Sequence, residues 1–305
     1  MKVAARPVRK LAREGASAIA GVAITNPERV VGATDGITKR EVAQYHADMA
    51  QWLLPHVADR PLALVKCPGG NLAQCFFQRH PGEPGQARRR LPGSPPYMHL
   101  ATLTDIVAAV QNGAFEFHSW GASFPRVDRP DRITLDLDPD PALPWSTVRE
   151  ACELTRALLD RLALNGFLKT TGGKGLHFVL PLARRHDWDA VKTFARALAT
   201  ELARSAPSMF TTKMSKRDRG GRVFVDYLRN AEGATAVAAY SLRARPGLPV
   251  SMPIEWTALR NDVRGACFNL RNVPALLKKR KTDPWAGYEA ARQTIRGAAR
   301  RAMGA

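Results

Sequence analysis

Two aspartates one residue apart, in Arg132-Ile-Thr-Leu-Asp-Leu-Asp-Pro139, are the first residues with chemistry to offer. Side chains on an extended strand alternate, so Asp136 and Asp138 share one side while Leu135 and Leu137 take the other. Adjacent carboxylates repel. A pair of divalent ions about 3.5–4 Å apart exploits such a pair, holding the attacking and leaving oxygens of an in-line phosphoryl transfer. An Asx-type turn through Asp138-Pro139-Asp140-Pro141 accounts equally well for the same residues taken alone. Asp226, in Val223-Phe-Val-Asp-Tyr-Leu228, shifts the balance, because an acid in an otherwise apolar run is costly to bury unless a cation or donor satisfies it. A metal held by three aspartates would satisfy all of them.

Between these acids lies Lys169-Thr-Thr-Gly-Gly-Lys-Gly-Leu-His-Phe178. The Walker spacing is absent, Lys174 is followed by Gly175 rather than Ser or Thr, and a strand follows instead of a helix, so this is not a P-loop. A dinucleotide fingerprint would need glycine where Phe178 stands. The segment does offer backbone N–H groups opened by three glycines, the Thr171 hydroxyl, the Lys174 ammonium, and His177 on the departing strand. That set suits a triphosphate; a flexible turn with a satisfied core histidine is the plainer alternative.

Elements that could position these residues follow from periodicity. Val42, Tyr45, Met49, Trp52 and Leu53 recur at helical spacing and predict a helix over 38–54, capped by Asp35 or Thr38. Further helices are expected over 102–111, 146–165 and 188–203, and strands over 61–66, 115–120, 133–138, 167–171, 176–182 and 222–228. The loop 80–96, with Arg88-Arg89-Arg90, reads as exposed and mobile. From Lys278 the chain turns strongly basic, and a solvated helix is expected from Gly287, packed through Trp285, Tyr288 and Ile295 and carrying Arg292, Arg296, Arg300 and Arg301. Strands often neighbour strands, so the expected class is α+β or mixed α/β, a partly antiparallel central sheet flanked by helices, rather than a doubly wound sheet.

Composition narrows the functional class. Across 305 residues, 46 Lys and Arg oppose 27 Asp and Glu, a formal charge of +19 that favours a polyanionic partner. Hydrophobic residues at 45% argue for a folded domain, and no apolar run is long enough to span a membrane. The basic start lacks the apolar stretch of a signal peptide, so a basic arm on a cytoplasmic protein is expected. Cys67, Cys75, Cys152 and Cys267 show no C-x-x-C spacing and are expected as reduced, buried thiols.

Several motifs together carry a specific resemblance. LDLDP at 135–139, TTGGKGLHFVLPL at 170–182, FTTKMSKRDRGGRVFVDYLRN at 210–230 and AYSLRARPG at 239–247 resemble the polymerase domain of the bacterial end-joining ligase D, within the archaeo-eukaryotic primase superfamily. The likeness runs from TNPERV near residue 25 to Pro253-Ile-Glu-Trp256. It implies a primase-polymerase fold with an arm over 1–20, a domain over 21–277 (an end-binding part to about 125, a catalytic core about 126–260) and a basic tail over 278–305. The implied activity is template-directed nucleotide addition to primer 3′ ends at gaps and breaks, often favouring ribonucleotides and manganese. Asp136, Asp138 and Asp226 match its metal-binding carboxylates, for Mn²⁺ or Mg²⁺ and two ions. Thr171, Lys174 and His177 match its nucleotide motif, with threonine where serine is commoner, and His118, Arg243 and Arg245 match positions near the nucleotide's sugar and phosphates. Asn26, Arg29 and Lys39 match a pocket for a downstream 5′ phosphate, Arg29 replacing the usual lysine. Val31-Gly32-Ala33 departs from the aromatic-proline pattern common there.

Phe76 and Phe77 match an aromatic pair that stacks on template bases, although two adjacent phenylalanines would on packing grounds be one core and one surface residue. Implied partners are gapped or broken double-stranded DNA, NTP or dNTP, Ku and an ATP-dependent DNA ligase, at the bacterial nucleoid. No K-x-D-G motif occurs, so nick sealing is not expected of this chain. A non-catalytic end-binding module would have no use for three acids that repel phosphate. A two-metal nuclease would use the acids but leave the Gly-Lys-His segment and paired arginines unexplained.

Overall fold

The computed structural model describes residues 18–295 apart from 33–34, 83–85, 92, 216, 218 and 265–266. In chain order it runs β1 (Ala18–Ile19), β2 (Val22–Ala23), α1 (Lys39–Asp48), α2 (Ala50–Val57), β3 (Leu62–Lys66), β4 (Phe76–Gln78), β5 (Arg88–Arg89), β6 (Tyr97–Met98), α3 (Leu103–Gln111) and β7 (Ala114–Trp120). The second half runs β8 (Arg132–Pro139), α4 (Trp145–Arg161), β9 (Phe167–Thr170), β10 (Leu176–Pro181), α5 (Trp188–Ser205), β11 (Phe210–Thr211), β12 (Val223–Asp226), β13 (Thr235–Val237), β14 (Pro253–Ile254) and α6 (Val273–Lys278).

Local chemistry explains where the helices begin. Thr38 and Thr102 each cap a helix through a capping box, closed by Glu41 and Asp105, and Asp187 caps α5 through the Ala190 N–H. The single helix expected over 38–54 is two, divided at Met49. No helix among the described residues is long and apolar enough to cross a membrane.

The mixed α/β class holds, built on two six-stranded sheets. One has the order β11-β12-β8-β10-β9-β14 and is antiparallel except for β11 with β12. The other has the order β13-β7-β3-β6-β5, and β4 also pairs with β3. Ile133, Leu135 and Leu137 are fully buried on one face of β8, where α5 packs, while Asp136 and Asp138 project from the other. α2 and α3 pack against β7 in the second sheet. β13 comes from the second half of the chain yet pairs with β7, so the later segment crosses to the sheet built by the earlier one. A buried ion pair, Arg60 to Asp131 at 2.7 Å, ties the end of α2 to the start of β8, and Ser123 donates to the same carboxylate at 2.9 Å. Removing Asp131 would leave the buried Arg60 guanidinium without its carboxylate, whereas Asp131 also has Arg132 at 3.5 Å.

Three expectations need correction. Cys67 and Cys75 form a disulfide. The β3–β4 register sets Lys66 opposite Phe76, so the next residues outward on each strand meet, a proximity made by strand pairing and carrying no spacing signature. Cys152 is free and buried, as expected, whereas Cys267 is free and exposed. Residues 287–291 form turns, not a helix, although Trp285, Tyr288 and Ile295 are buried as foreseen. That segment is a strap: Trp285 Nε1 donates to the Leu168 carbonyl at 2.8 Å, and Gln293 exchanges two 2.8 Å bonds with the Asn165 backbone. The Gln293 backbone itself pairs with the end of β10 and the chain after it, its N–H donating to the Pro181 carbonyl at 3.2 Å and its carbonyl accepting from Ala183 N–H at 2.7 Å. Finally, the 80–96 loop contains β5, an edge strand made by Arg88 and Arg89 themselves. The arm before residue 18 and the arginines from Arg296 onward lie outside the described residues.

Candidate active site

Strand register builds the site. Asp226 lies opposite Asp136, Asp136 opposite His177, and His177 opposite Lys169, so four polar residues form one line across β12, β8, β10 and β9. Directly paired residues share a face, and Asp138, two residues along β8, joins them there. Cations surround the acids. Arg219 donates to Asp138 at 2.6 Å and Lys174 lies 3.6 Å from it. His177 Nε2 is 3.4 Å from Asp136, and Arg229 bridges Asp136 at 3.6 Å and Asp226 at 3.2 Å. Lys169, buried, donates to the Ser251 hydroxyl at 2.7 Å.

The electrostatics follow from crowding. Burial alone would raise the Asp136 carboxyl, but the neighbouring His177, Arg229 and Lys169 outweigh it and hold it at about 2. Burial and then the Lys169 charge push His177 down to about 4, so its ring is neutral near pH 7. Burial pushes Asp226 upward against the pull of Arg229, and the charges of Asp136 and Asp138 add to the rise. Among the described residues no group of three or more His, Cys, Asp or Glu side chains is gathered into a ready-made cage; arginine and lysine take the carboxylate oxygens instead. The donor chemistry nevertheless fits a hard divalent cation, which prefers carboxylate oxygen and would offset the burial and the neighbouring acid charges that raise Asp226.

The glycine segment forms a tight turn between β9 and β10. Thr171 donates from both its backbone N–H and its hydroxyl to the Gly175 carbonyl, at 3.1 and 3.0 Å, and its hydroxyl accepts from Gly173 N–H at 3.3 Å. The hydroxyl thus shapes the turn. A β-carbon on Gly175 would sit 2.6 Å from the Leu137 carbonyl oxygen, and one on Gly173 2.6 Å from an Arg245 nitrogen. Gly175 is therefore required by its close approach to the β8 backbone, whereas beside Gly173 the neighbour is the flexible end of Arg245.

The opposite wall comes from the second sheet. Glu116 and His118 alternate on β7, and His118 Nε2 is 2.7 Å from the Glu116 carboxylate. Arg243 Nε donates to the same carboxylate at 2.8 Å, Ala244 N–H donates to its other oxygen at 2.8 Å, and Arg243 also reaches the Thr171 carbonyl. Burial and the adjacent Arg243 lower the Arg245 guanidinium, two crowded cations that an anion would relieve. Phe77 stands edge-on to His118 at 5.0 Å. A cavity of about 830 Å³ lies between the walls, lined by Asp136, Asp138, Asp226, Thr171, Lys174, His177, His118, Arg243, Arg245 and Phe77. Glu116, Arg219, Arg229 and Arg79, which also lines the cavity, were not foreseen from the sequence. Glu116 had a signal, since strand alternation places it on the same face as His118. Phe76 does not line the cavity, yet both phenylalanines are exposed, at 48% and 56%, against the packing expectation of one inside and one out. β4 is a short strand beside β3, and both rings stay largely exposed, Phe77 meeting only the edge of His118 among the rings of the described residues.

Asn26, Arg29 and Lys39 gather elsewhere. Arg29 N–H donates to the Asn26 carbonyl at 3.1 Å, and Lys39 N–H donates to the Arg29 carbonyl at 2.9 Å. Lys39 is the first residue of α1, half-buried, its ammonium donating to Gln111 Oε1 at 2.7 Å and the Thr25 carbonyl at 3.2 Å. Burial and then the charge of Arg29 lower its amine. Two cations held close enough to oppose one another suit an anion; Gln111, which orients Lys39, was not foreseen.

The sequence matches the profile of the LigD primase-polymerase domain over residues 38–285. The chain belongs to the LigD primase-polymerase family. It is 47% identical over 303 residues to the multifunctional non-homologous end joining protein LigD of Pseudomonas aeruginosa, covering 96% of this chain and 36% of that protein. Against the corresponding protein of Mycolicibacterium smegmatis the identity is 32% over 243 residues, covering 77% of this chain and 32% of the other. The chain thus spans about a third of the length of these relatives. The fold matches the polymerase domain of Mycobacterium tuberculosis ligase D, solved in complex with DNA, with a TM-score of 0.79 at 27% identity, covering 88% of this chain and 98% of that one. Within the LigD primase-polymerase family the chain is a DNA-directed nucleotidyltransferase dependent on a divalent metal, and neither a non-catalytic end-binding module nor a two-metal nuclease is favoured.

Proposed function

We propose that this LigD primase-polymerase domain adds nucleotides, templated by the opposite strand, to primer 3′ ends at gaps and breaks during end joining. The observation that carries the reading is the cross-strand line Asp226–Asp136–His177, with Asp138 beside it, opening into a cavity whose other wall bears paired arginines. Its volume lies within the usual range for small-molecule sites, roughly 300–1,000 Å³. Asp136, Asp138 and Asp226 would hold Mg²⁺ or Mn²⁺, as a pair of ions, to neutralise the triphosphate and lower the pKa of the primer hydroxyl. Lys174, Arg243 and Arg245 receive the phosphates of an NTP or dNTP, with the N–H groups of the glycine turn beside them. His177, neutral and bonded to Asp136, orients that carboxylate. His118 sits at the sugar, and Phe76 and Phe77 offer ring faces to template bases, a contact worth about 1–3 kcal/mol per base. Asn26, Arg29 and Lys39 receive a 5′ phosphate on the downstream strand.

The wider setting belongs to the same proposal: gapped or broken duplex DNA as substrate, Ku and an ATP-dependent DNA ligase as partners, and action at the bacterial nucleoid. Primer extension on a gapped duplex with labelled nucleotide, in Mg²⁺ and in Mn²⁺ with a degradation control, tests it. Templated addition is expected; shortening of the primer without addition would replace the reading with a nuclease.

A further inference from the structure

Glu116 is 5% exposed, stands on β7, and is remote in sequence from everything it organises except His118. One of its oxygens takes His118 Nε2 at 2.7 Å and Arg243 Nε at 2.8 Å, and the other takes the Ala244 N–H at 2.8 Å. Although burial opposes ionisation, these donors and charges hold the carboxyl at about 2, so it remains an anion and a pure acceptor near neutral pH. Burial lowers His118 despite the pull of Glu116, so the ring is neutral there. A neutral imidazole facing a carboxylate through Nε2 carries its proton on Nε2, and Nδ1 is left with a lone pair. The one hydrogen bond of the His118 ring among the described residues is the one through Nε2, and the ring lines the cavity. The ring stands between the exposed face of Phe77, 5.0 Å away, and Arg243, which shares its carboxylate. In a nucleotide lying base toward Phe77 and phosphates toward Arg243, the sugar is at the level of His118.

We propose that Glu116 is the positioning residue of this pocket, fixing His118 Nδ1 as a hydrogen-bond acceptor for a sugar hydroxyl of the incoming nucleotide and so setting the sugar preference. The role rests on the cavity's being a nucleotide site. The hydroxyl is on C2′ or C3′, and analogues tell them apart. The experiment measures affinity and single-turnover addition for NTP, 2′-deoxy and 3′-deoxy nucleotides on a gapped duplex, binding being read with a chain-terminated primer. It compares wild type, Glu116→Gln, His118→Ala and the double variant. Wild type is expected to prefer the nucleotide carrying one of the two hydroxyls. Glu116→Gln should shrink that preference about five- to tenfold, chiefly in KM, His118→Ala should do the same, and the double variant no more than either. A preference kept intact in Glu116→Gln, including a uniform weakening for all three nucleotides, overturns the proposal while leaving the nucleotide site standing. Absence of nucleotide binding in wild type removes both. A second readout needs no variant: ¹⁵N shifts of the His118 ring at pH 7 should show Nε2 protonated and Nδ1 bare, and a protonated Nδ1 overturns the assignment.

Discussion

The wall that carries Asp136, Asp226 and His177 and the surface that carries Asn26, Arg29, Lys39, Phe76 and Phe77 are made of different materials. On the wall, neighbouring strands hold every chemical group at a spacing fixed by ladder hydrogen bonds, and apolar residues of the same strands anchor them from behind. On the surface, the groups sit on a three-residue strand, a turn and the first residue of a helix, and they are exposed or half-buried. The wall is preorganised for charge that develops in one place. The surface suits a partner that supplies its own rigidity, as a duplex end does. A group fixed by register should therefore be intolerant of small changes, and a surface group should lose only its own contact.

The largest expected effect is on the wall. Asp136→Asn should lower nucleotide addition roughly a thousandfold or more, several kcal/mol of transition-state stabilisation, with DNA affinity unchanged or higher because a repelling charge is gone. Extension rates beside fluorescence anisotropy on a gapped duplex would measure it, and near-wild-type extension would break the contrast at its stronger end. Next comes a change of one methyl group. Gly175→Ala puts a carbon against the Leu137 carbonyl at 2.6 Å, which must push the turn off β8. A cost of about 1–3 kcal/mol is expected in thermal stability, with addition reduced at least tenfold. Normal melting and activity would show that the turn is as forgiving as the surface.

Effects on the surface should be smaller and separable. Phe77→Ala should weaken binding to a gapped template by roughly tenfold, the value of one stacked base, with Phe76→Ala adding independently, since only Phe77 lines the cavity. Lost addition without lost affinity would transfer Phe77 to the wall. The smallest effect concerns Lys39. Wild type should bind a downstream strand bearing a 5′ phosphate about fivefold to tenfold more tightly than one ending in a hydroxyl, and Lys39→Ala should remove most of that difference. Burial and Arg29 lower the Lys39 amine in the free protein, so raising the pH should erode the preference first through Lys39. Equal affinities for the two ends in wild type would take the phosphate pocket out of the comparison.

Much of the wall was legible because its clues are local. Strand alternation put Asp136 and Asp138 on one face, a buried-looking run marked Asp226, and three glycines with Lys174 and His177 marked the turn. Less of its scaffolding was legible. Arg219 and Arg229 looked like two among many cations, and only folding brought them onto the acids. Glu116 was visible by alternation with His118, but its bond to Arg243, 127 residues away, was not.

By itself the sequence determined where the longer strands and helices would lie, which faces of them would be apolar, and that a strongly positive chain carried three acids in places where acids need a cation. Those properties depend on spacings of two to four residues and on composition. Tertiary structure decided the rest: the register that sets Asp226 against Asp136, the Cys67–Cys75 disulfide, the exposure of both phenylalanines, and a C-terminal strap in place of a helix. Each depends on which distant segment pairs with which. That choice is made by packing over the whole core and by the entropy of closing long loops, and neither leaves a mark in the local pattern of residues.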